Sequence, residues 1–218
     1  MNDIVMLGPQ GSGKGTQSTA LSETTGMPHI SLGTLFRAEV QAGTDIGKEI
    51  QGYVERGDIV PAAIASSVIT GRLSKGDAAN GVILDGFPRT LEQADMLDNI
   101  LGQLGRKLAH VIYLNVSDEE ALKRLSGRRV CTNTACERNY HLEYHPPQKP
   151  GICDKCGGPL AQRKDDTPEA IKHRLSLYHS ETSPLIALYT GTGLLREIDG
   201  QRNIDAVQAD IVKAVGKG

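Results

Sequence analysis

The apolar positions of this chain fall into two alternating kinds of stretch. Short unbroken runs, Ile4 to Leu7, Val82 to Leu84, His110 to Val116 and Leu194 to Ile198, give way to glycine or polar residues. Strands buried on both faces have this character. Between the runs, apolar residues recur at helical spacing. Helices are predicted over Lys14 to Thr25 (stopped by Gly26 and Pro28), Ala62 to Leu73, Leu91 to Leu104 and Ile204 to Val215. Ser117 with Glu120 three residues on forms a capping box and opens a helix to about Arg128. Thr167-Pro168-Glu169 is an N-cap with proline at the first helical position, and one long helix is predicted from there to about Tyr189. Strands alternating with helices imply an α/β fold, a parallel five-stranded sheet with helices on both faces.

Two segments break this rhythm. Residues 31–60 hold two short helical patterns split around Gly43-Thr44, with further glycines at 47, 52 and 57. Residues 129–162 hold all four cysteines and Pro146, Pro147, Pro150 and Pro159, without helical period. The expected organisation is a core of 1–30, 61–128 and 163–218, carrying two inserted mobile lobes, 31–60 and 129–162. A chain of 218 residues can bury one sizeable core with such insertions.

Composition narrows the partners. The net charge is −2 with the signs interspersed, aromatics are 4% and tryptophan is absent, which excludes both a basic field and a base-stacking platform for nucleic acid. There is no charged-then-apolar leader and no apolar run near the roughly 20 residues that cross a bilayer. Cysteines packed into one segment suggest a metal site in a reducing compartment rather than secretory disulfides. The expectation is a cytoplasmic protein, with no membrane and no nucleic-acid partner.

The chemistry begins at GPQGSGKGTQ, residues 8–17. Strand, glycine-rich turn and helix N-terminus converge backbone N–H groups on one point, which attracts phosphate. The P-loop pattern is Gly, four residues, Gly, Lys, then Ser or Thr. Here Gly15 follows Lys14 and the hydroxyl, Thr16, comes one place later. A dinucleotide fingerprint is the competing pattern, but Gly11, Gly13 and Gly15 fall at every second residue. Asp85-Gly86-Phe87-Pro88-Arg89 ends the second strand, where such sheets hold ligands. Asp85 suits a water-mediated Mg²⁺ contact and Arg89 a phosphate. The cysteines are separated by four, sixteen and two residues, spacings compatible with a tetrahedral structural zinc on Cys131, Cys136, Cys153 and Cys156. Iron or cobalt would also accept four thiolates. Disulfides, free thiols, or replacement of one ligand by His141 or His145 are the alternatives.

GPQGSGKGTQ, ISLGTLFR (30–37), LDGFPRT (84–90), GRRVC (127–131), NYHLEYHPP (139–147), CDKCGG (153–158), QRKDD (162–166), HRLSLYHSETSPLI (173–186) and IDG (198–200) lie in one order along nearly the whole chain. In this the chain resembles the adenylate kinases among nucleoside monophosphate kinases, in their long-lid form, and GKGT is that family's own P-loop. The resemblance implies a P-loop NTPase core that transfers the terminal phosphoryl group of Mg-ATP to AMP, giving two ADP. It implies that Gly11, Ser12, Gly13, Lys14, Gly15 and Thr16 wrap the ATP phosphates. Arg128, Tyr140 and Arg202 fall at further ATP positions, as does Asn139 through its backbone. Arg37, Asp58, Ile59, Val60, Gly86, Phe87, Pro88, Arg89, Gln93, Arg163 and Arg174 match the AMP side. Arg124 and Asp165-Asp166 match lid and hinge positions near the phosphates.

The attacking phosphate is already mostly ionised at neutral pH, so this reaction needs no general base. It needs alignment and charge neutralisation, which the resemblance assigns to Lys14, Arg89, Arg128, Arg163 and Arg174 with Mg²⁺. It also implies a cis Phe87-Pro88 bond and a structural metal in the lid. There are two departures. The first cysteine pair is longer than the family's usual spacing, by an apparent insertion within TNTA (132–135). Leu32 stands where the family usually carries Thr beside the AMP base, which leaves base selection to Gln93 and backbone near Val60. The expected partners are ATP and AMP, with the chain a monomer. The alternatives are a CMP or UMP kinase and a nucleotide-gated zinc-ribbon switch.

Overall fold

The computed structural model describes residues 3–133, 136, 138–163 and 165–216. Thr134 and Ala135 of the apparent insertion, and Lys164 of QRKDD, lie outside the described residues. Strand β1 (Asp3–Leu7) is buried along its whole length and pairs in parallel with β3 (Ile83–Asp85) on one side and β4 (Leu108–Asn115) on the other. β2 (His29–Ser31) adds outside β3 and β8 (Leu195–Asp199) outside β4. The five-stranded parallel sheet therefore runs β2-β3-β1-β4-β8.

The unbroken apolar runs arise because successive residues serve opposite layers. Ile4, Met6, Ile83, Ile112, Leu114 and Ile198 join one cluster with Leu21 of α1 (Lys14–Thr25) and with Val207 and Ile211 of α9 (Ile204–Val215). Val5, Leu7, Leu84 and Val111 join the other. There they meet Ile69 of α4 (Ala62–Leu73), Leu97 of α5 (Leu91–Gln103) and Leu185 of α8 (Pro184–Gly191). The order of connection reverses at β1, which opens a crevice at the carboxyl ends of β1, β3 and β4, the place where such sheets receive ligands.

Two additions overhang that crevice. α2 (Leu32–Ala42) and α3 (Asp45–Arg56) pack on each other, divided at Gly43-Thr44 as the pattern predicts, with the Thr44 hydroxyl accepting from the Gly47 N–H at 3.0 Å. Beyond the core, β5 (Arg128–Cys131), β6 (Asn139–His141) and β7 (Leu160–Ala161) form a small antiparallel sheet, ordered β6-β5-β7.

Three expectations need correction. α6 (Asp118–Ser126) stops at Gly127, and Arg128 is already in β5, paired opposite His141. Only half of the capping box forms: Ser117 Oγ accepts from the Glu120 N–H, but the Ser117 N–H donates to Gln201 Oε1 and the Glu120 carboxylate receives Arg124. The long helix is two helices. α7 (Pro168–Leu177) ends in a wide π turn over Tyr178–Thr182 before α8. Pro184 has no N–H, and its ring would strike the carbonyl four residues back. The turn widens accordingly, with the Ser183 N–H bonding Tyr178 O, five residues back, at 2.8 Å.

Candidate active site

The loop after β1 lies against β4 and α6 closely enough to demand glycine. A Cβ on Gly8 would stand 2.6 Å from Leu114 O and one on Gly11 2.7 Å from Ala121 O, and both residues have positive φ, +141 and +84. Gly13 caps α1 without a side-chain hydrogen bond, so the first N–H groups of that helix, which have no helical acceptor, face the loop. Lys14 Nζ curls back and donates to Gly8 O at 2.7 Å and Pro9 O at 2.8 Å. Burial, with the charges of Arg89, Arg174 and Arg128, lowers its pKa to about 8, against an opposing pull from Asp85. Thr16 is exposed on the first turn of α1.

Asp85 ends β3 with its carboxylate 3.6 Å from His29 Nε2 on β2. Burial raises the pKa of Asp85, but His29, Lys14 and Arg89 outweigh that and hold it below the ordinary carboxylate value. The carboxylate also lies 3.5 Å from the point where a Gly15 Cβ would stand. An acidic group over the first turn of α1 is a suitable second-sphere partner for a hydrated divalent cation.

The loop 86–90 turns through a cis Phe87-Pro88 bond, as expected. Arg89 is held at three points: its N–H donates to Gln93 Oε1 at 2.8 Å, its Nε to Gly86 O at 3.0 Å, and its carbonyl accepts from Thr182 Oγ1 at 2.8 Å. Gln93 also donates to Val60 O at 3.3 Å, so this buried amide ties the loop to the 58–60 stretch. Phe87 is the one non-metal candidate that turns away. Its ring is 1% exposed and belongs to the core, where an apolar side chain next to a polar cleft is best placed.

Opposite lies a crowd of guanidinium groups. Arg128 grips Asp166 with two bonds, at 2.9 and 2.6 Å. Arg174 reaches Asp165 at 3.0 Å and Asp166 at 3.3 Å. Burial and neighbouring cations lower the pKa of Arg89 to about 10 and of Arg163 to about 9. A group of cations dense enough to depress its own members invites polyanions.

These groups surround one cavity of about 1130 Å³, large enough for two small ligands. Apart from Phe87, every non-metal residue singled out from the sequence as a site candidate lines it, as do Arg124 and Asp165. Some hold other partners besides. Arg202 pairs with Asp210 at 2.6 Å, Arg124 with Glu120 at 2.6 Å, and Leu32 is 2% exposed, with most of its side chain in the core. Asn139 reaches the cavity with its Oδ1 buried and unbonded. Gln10, His29, Tyr178 and Thr182 also line it and were not anticipated. For Thr182 a signal existed in Ser183-Pro184, which breaks the helix beside it.

The sulfur atoms of Cys131, Cys136, Cys153 and Cys156 all lie within 4.8 Å of one another, and none is in a disulfide. Contacts of 3.4 Å (Cys131 to Cys156) and 3.7 Å (Cys136 to Cys153) match the edge of about 3.8 Å that four thiolates at 2.3 Å from one ion would make. The cluster could hold a metal ion, and the disulfide alternative falls. Tyr140, 3% exposed, lies beside it: its hydroxyl is 3.5 Å from Cys153 Sγ and accepts from the Asp154 N–H at 2.8 Å. The ring of Tyr140 stacks on His145.

A family model described as adenylate kinase matches residues 6–194. The adenylate kinase of Geobacillus sp. (strain WCH70) is 45% identical over 214 residues, 98% of each chain. Those of Caldicellulosiruptor bescii and Methanothrix thermoacetophila are each 46% identical, over 98% and 99% of both chains respectively.

Proposed function

The chain belongs to the adenylate kinase family and is an ATP:AMP phosphotransferase, and on that premise we propose which of its residues perform the transfer. ATP lies along residues 11–16, its phosphates taken by the N–H groups of the loop and of the first turn of α1, with Lys14 uncurling from Gly8 and Pro9 to reach them. Asn139, Tyr140, Arg128 and Arg202 complete that side. AMP lies between the 58–60 stretch and Gly86 to Gln93, with Leu32 against its base. Its phosphate is held by Arg37, Arg89, Arg163 and Arg174. Asp85 orients, through water, the Mg²⁺ that accompanies ATP and supplies charge neutralisation on the phosphates.

No proton acceptor is required, because the nucleophile is an ionised phosphate oxygen. The chain's own work is to bring two polyanions into line and offset the charge that builds on the transferred group. The planar fork of arginine suits this, since each can grip two oxygens at fixed angles. The observation that carries the reading is the cluster Lys14, Arg89, Arg128, Arg163 and Arg174 around one cavity, close to the glycine loop.

The segments 31–60 and 129–162 act as mobile lobes over AMP and ATP, closing to keep water from accepting the phosphoryl group. Cys131, Cys136, Cys153 and Cys156 would hold a structural zinc through four thiolates, and the metal would stiffen the segment rather than take part in the transfer. The proposed functional unit is a monomer. Unpaired thiols kept as metal ligands, with no helix among the described residues long and apolar enough to cross a membrane, favour the cytoplasm. The test is a coupled assay of ATP against AMP, CMP, UMP and GMP. AMP should be the best acceptor, and equal or better use of a pyrimidine monophosphate would overturn the assignment.

A further inference from the structure

The Thr182 hydroxyl makes a bond across the fold rather than the usual local one. Thr19, Thr24, Thr25, Thr70, Ser74, Ser183 and Thr190 each return their hydroxyl to the carbonyl four residues back. That is the local habit of such side chains in helices. Thr182 makes no such bond; it lies in the π turn, where the Ser183 N–H bonds Tyr178 O at 2.8 Å. The Thr182 hydroxyl, on a residue 7% exposed, donates instead to Arg89 O at 2.8 Å, 93 residues away in the chain. π turns of this kind recur at functional sites.

The bond completes a frame around one peptide. The Arg89 N–H is held by Gln93 from α5, its carbonyl by Thr182 from the α7–α8 junction, and its guanidinium by Gly86 O. Arg174 and Arg37 repel that guanidinium. A cation among cations keeps a fixed position only if its main chain is anchored.

We propose that Thr182 is a positioning residue for phosphoryl transfer: through the Arg89 carbonyl it fixes the 86–89 loop so that Arg89 meets the monophosphate at a set place. This rests on Arg89 being a phosphate ligand, as argued above. The π turn places this hydroxyl at the end of α7, within reach of the 86–89 loop.

The experiment compares Thr182→Val, which keeps the shape and removes the donor, with Thr182→Ser, which keeps the donor. Each is made in the wild-type and Arg89→Ala proteins. The measurements are kcat, KM for AMP and for ATP, melting temperature and, where turnover is too slow, AMP affinity by calorimetry. Thr182→Val should lower kcat/KM for AMP about five-fold, the loss of one hydrogen bond. KM for ATP should stay within about two-fold, and Thr182→Ser should remain within about two-fold of wild type. In the Arg89→Ala protein the valine substitution should have no further effect on AMP. Equal rises in both KM values, or an undiminished loss in the Arg89→Ala protein, would reduce Thr182 to a packing residue and overturn the proposal. If Arg89→Ala itself leaves AMP kinetics intact, the placement of AMP is wrong and this proposal falls with it.

Discussion

Replacing Lys14 by Met should abolish transfer and at the same time make the nucleotide-free protein more stable. The ammonium has been drawn out of water into the glycine loop, and burial moves its pKa from 10.5 to about 8. At 1.36 kcal/mol per unit, keeping Lys14 charged costs the folded state about 3 kcal/mol. That is an upper figure, because the side chain is only half-buried and solvent screens part of the effect. Methionine fills similar space without the charge, so a gain of about 1–3 kcal/mol in unfolding free energy is expected at pH 7. The sign with pH follows from linkage. The folded pKa lies below the unfolded one, so the cost is full below pH 8 and disappears as pH rises towards 10.5. The stability gap between Lys14→Met and wild type should therefore shrink to about 1 kcal/mol or less by pH 10.

Turnover should move the other way. Removing one preorganised charge from the transferred phosphoryl group should lower kcat by about 10²-fold or more. Urea unfolding at pH 7 and pH 10, with coupled turnover on the same samples, tests both halves. A Lys14→Met protein that is less stable at pH 7, or whose gap does not change with pH, would refute the burial argument. Retained turnover would refute the place of Lys14 at the phosphates.

Other outcomes follow from the same geometry. Leu32→Thr should sharpen the ratio of kcat/KM for AMP over other monophosphates by about five-fold, one modest hydrogen bond, and an unchanged ratio would mean that the side chain does not address the base. Because Leu32 is 2% exposed, the same substitution should also lower the melting temperature by placing a hydroxyl in an apolar pocket. Cys153→Ser with Cys156→Ser should release one metal per chain and lower the melting temperature, while turnover well below it survives; loss of turnover with an ordered 129–162 segment would make the metal catalytic.

What could be read in advance divides by the range of the forces involved. Helices α1, α4 and α9 fall at the predicted ranges, Lys14–Thr25, Ala62–Leu73 and Ile204–Val215, with α1 stopped at Gly26 as expected; in the structure α4 follows Pro61 and α9 is capped by Asn203, whose side chain accepts from the Ala206 N–H. β2 escaped notice because three residues, His29–Ser31, carry no period, and only pairing with β3 makes them a strand. The small β5–β7 sheet escaped for the same reason. In the structure Ile171, Leu175, Tyr178, Thr182, Leu185 and Tyr189 are buried at a spacing close to helical, although the backbone there is two helices and not one. The proline that widens the turn changes the backbone without breaking that stripe. At the site, motif residues were legible as types of chemistry. Their partners were not: Arg128 with Asp166, Thr182 with Arg89 and His173 with Asp58 all join residues distant in sequence.

The charge arrangement of the cavity also bears on how it closes. Lys14, Arg89, Arg128, Arg163 and Arg174 crowd the cavity, where Asp85 and Asp165 lie near them and Asp166 grips Arg128 and Arg174 from behind, and the pKa values of Lys14, Arg89, Arg163 and Arg174 are all displaced downward by burial and by one another. Nucleotide phosphates bring the missing negative charge, so binding relieves a cost that the fold alone bears. Arg128 begins β5, on one side of the cysteine segment, and Arg163 follows β7 on the other. Both ends of that segment therefore carry a cation into the cavity. Asp166, 1% exposed, holds Arg128 by two bonds and Arg174 by one, which ties the base of the segment to α7. When the segment swings over ATP, as proposed, Arg128 must turn about this buried carboxylate or exchange it for phosphate. Under the proposed closure, movement of the segment and charge neutralisation would be one event, with water excluded as the guanidinium groups reach the transferred group.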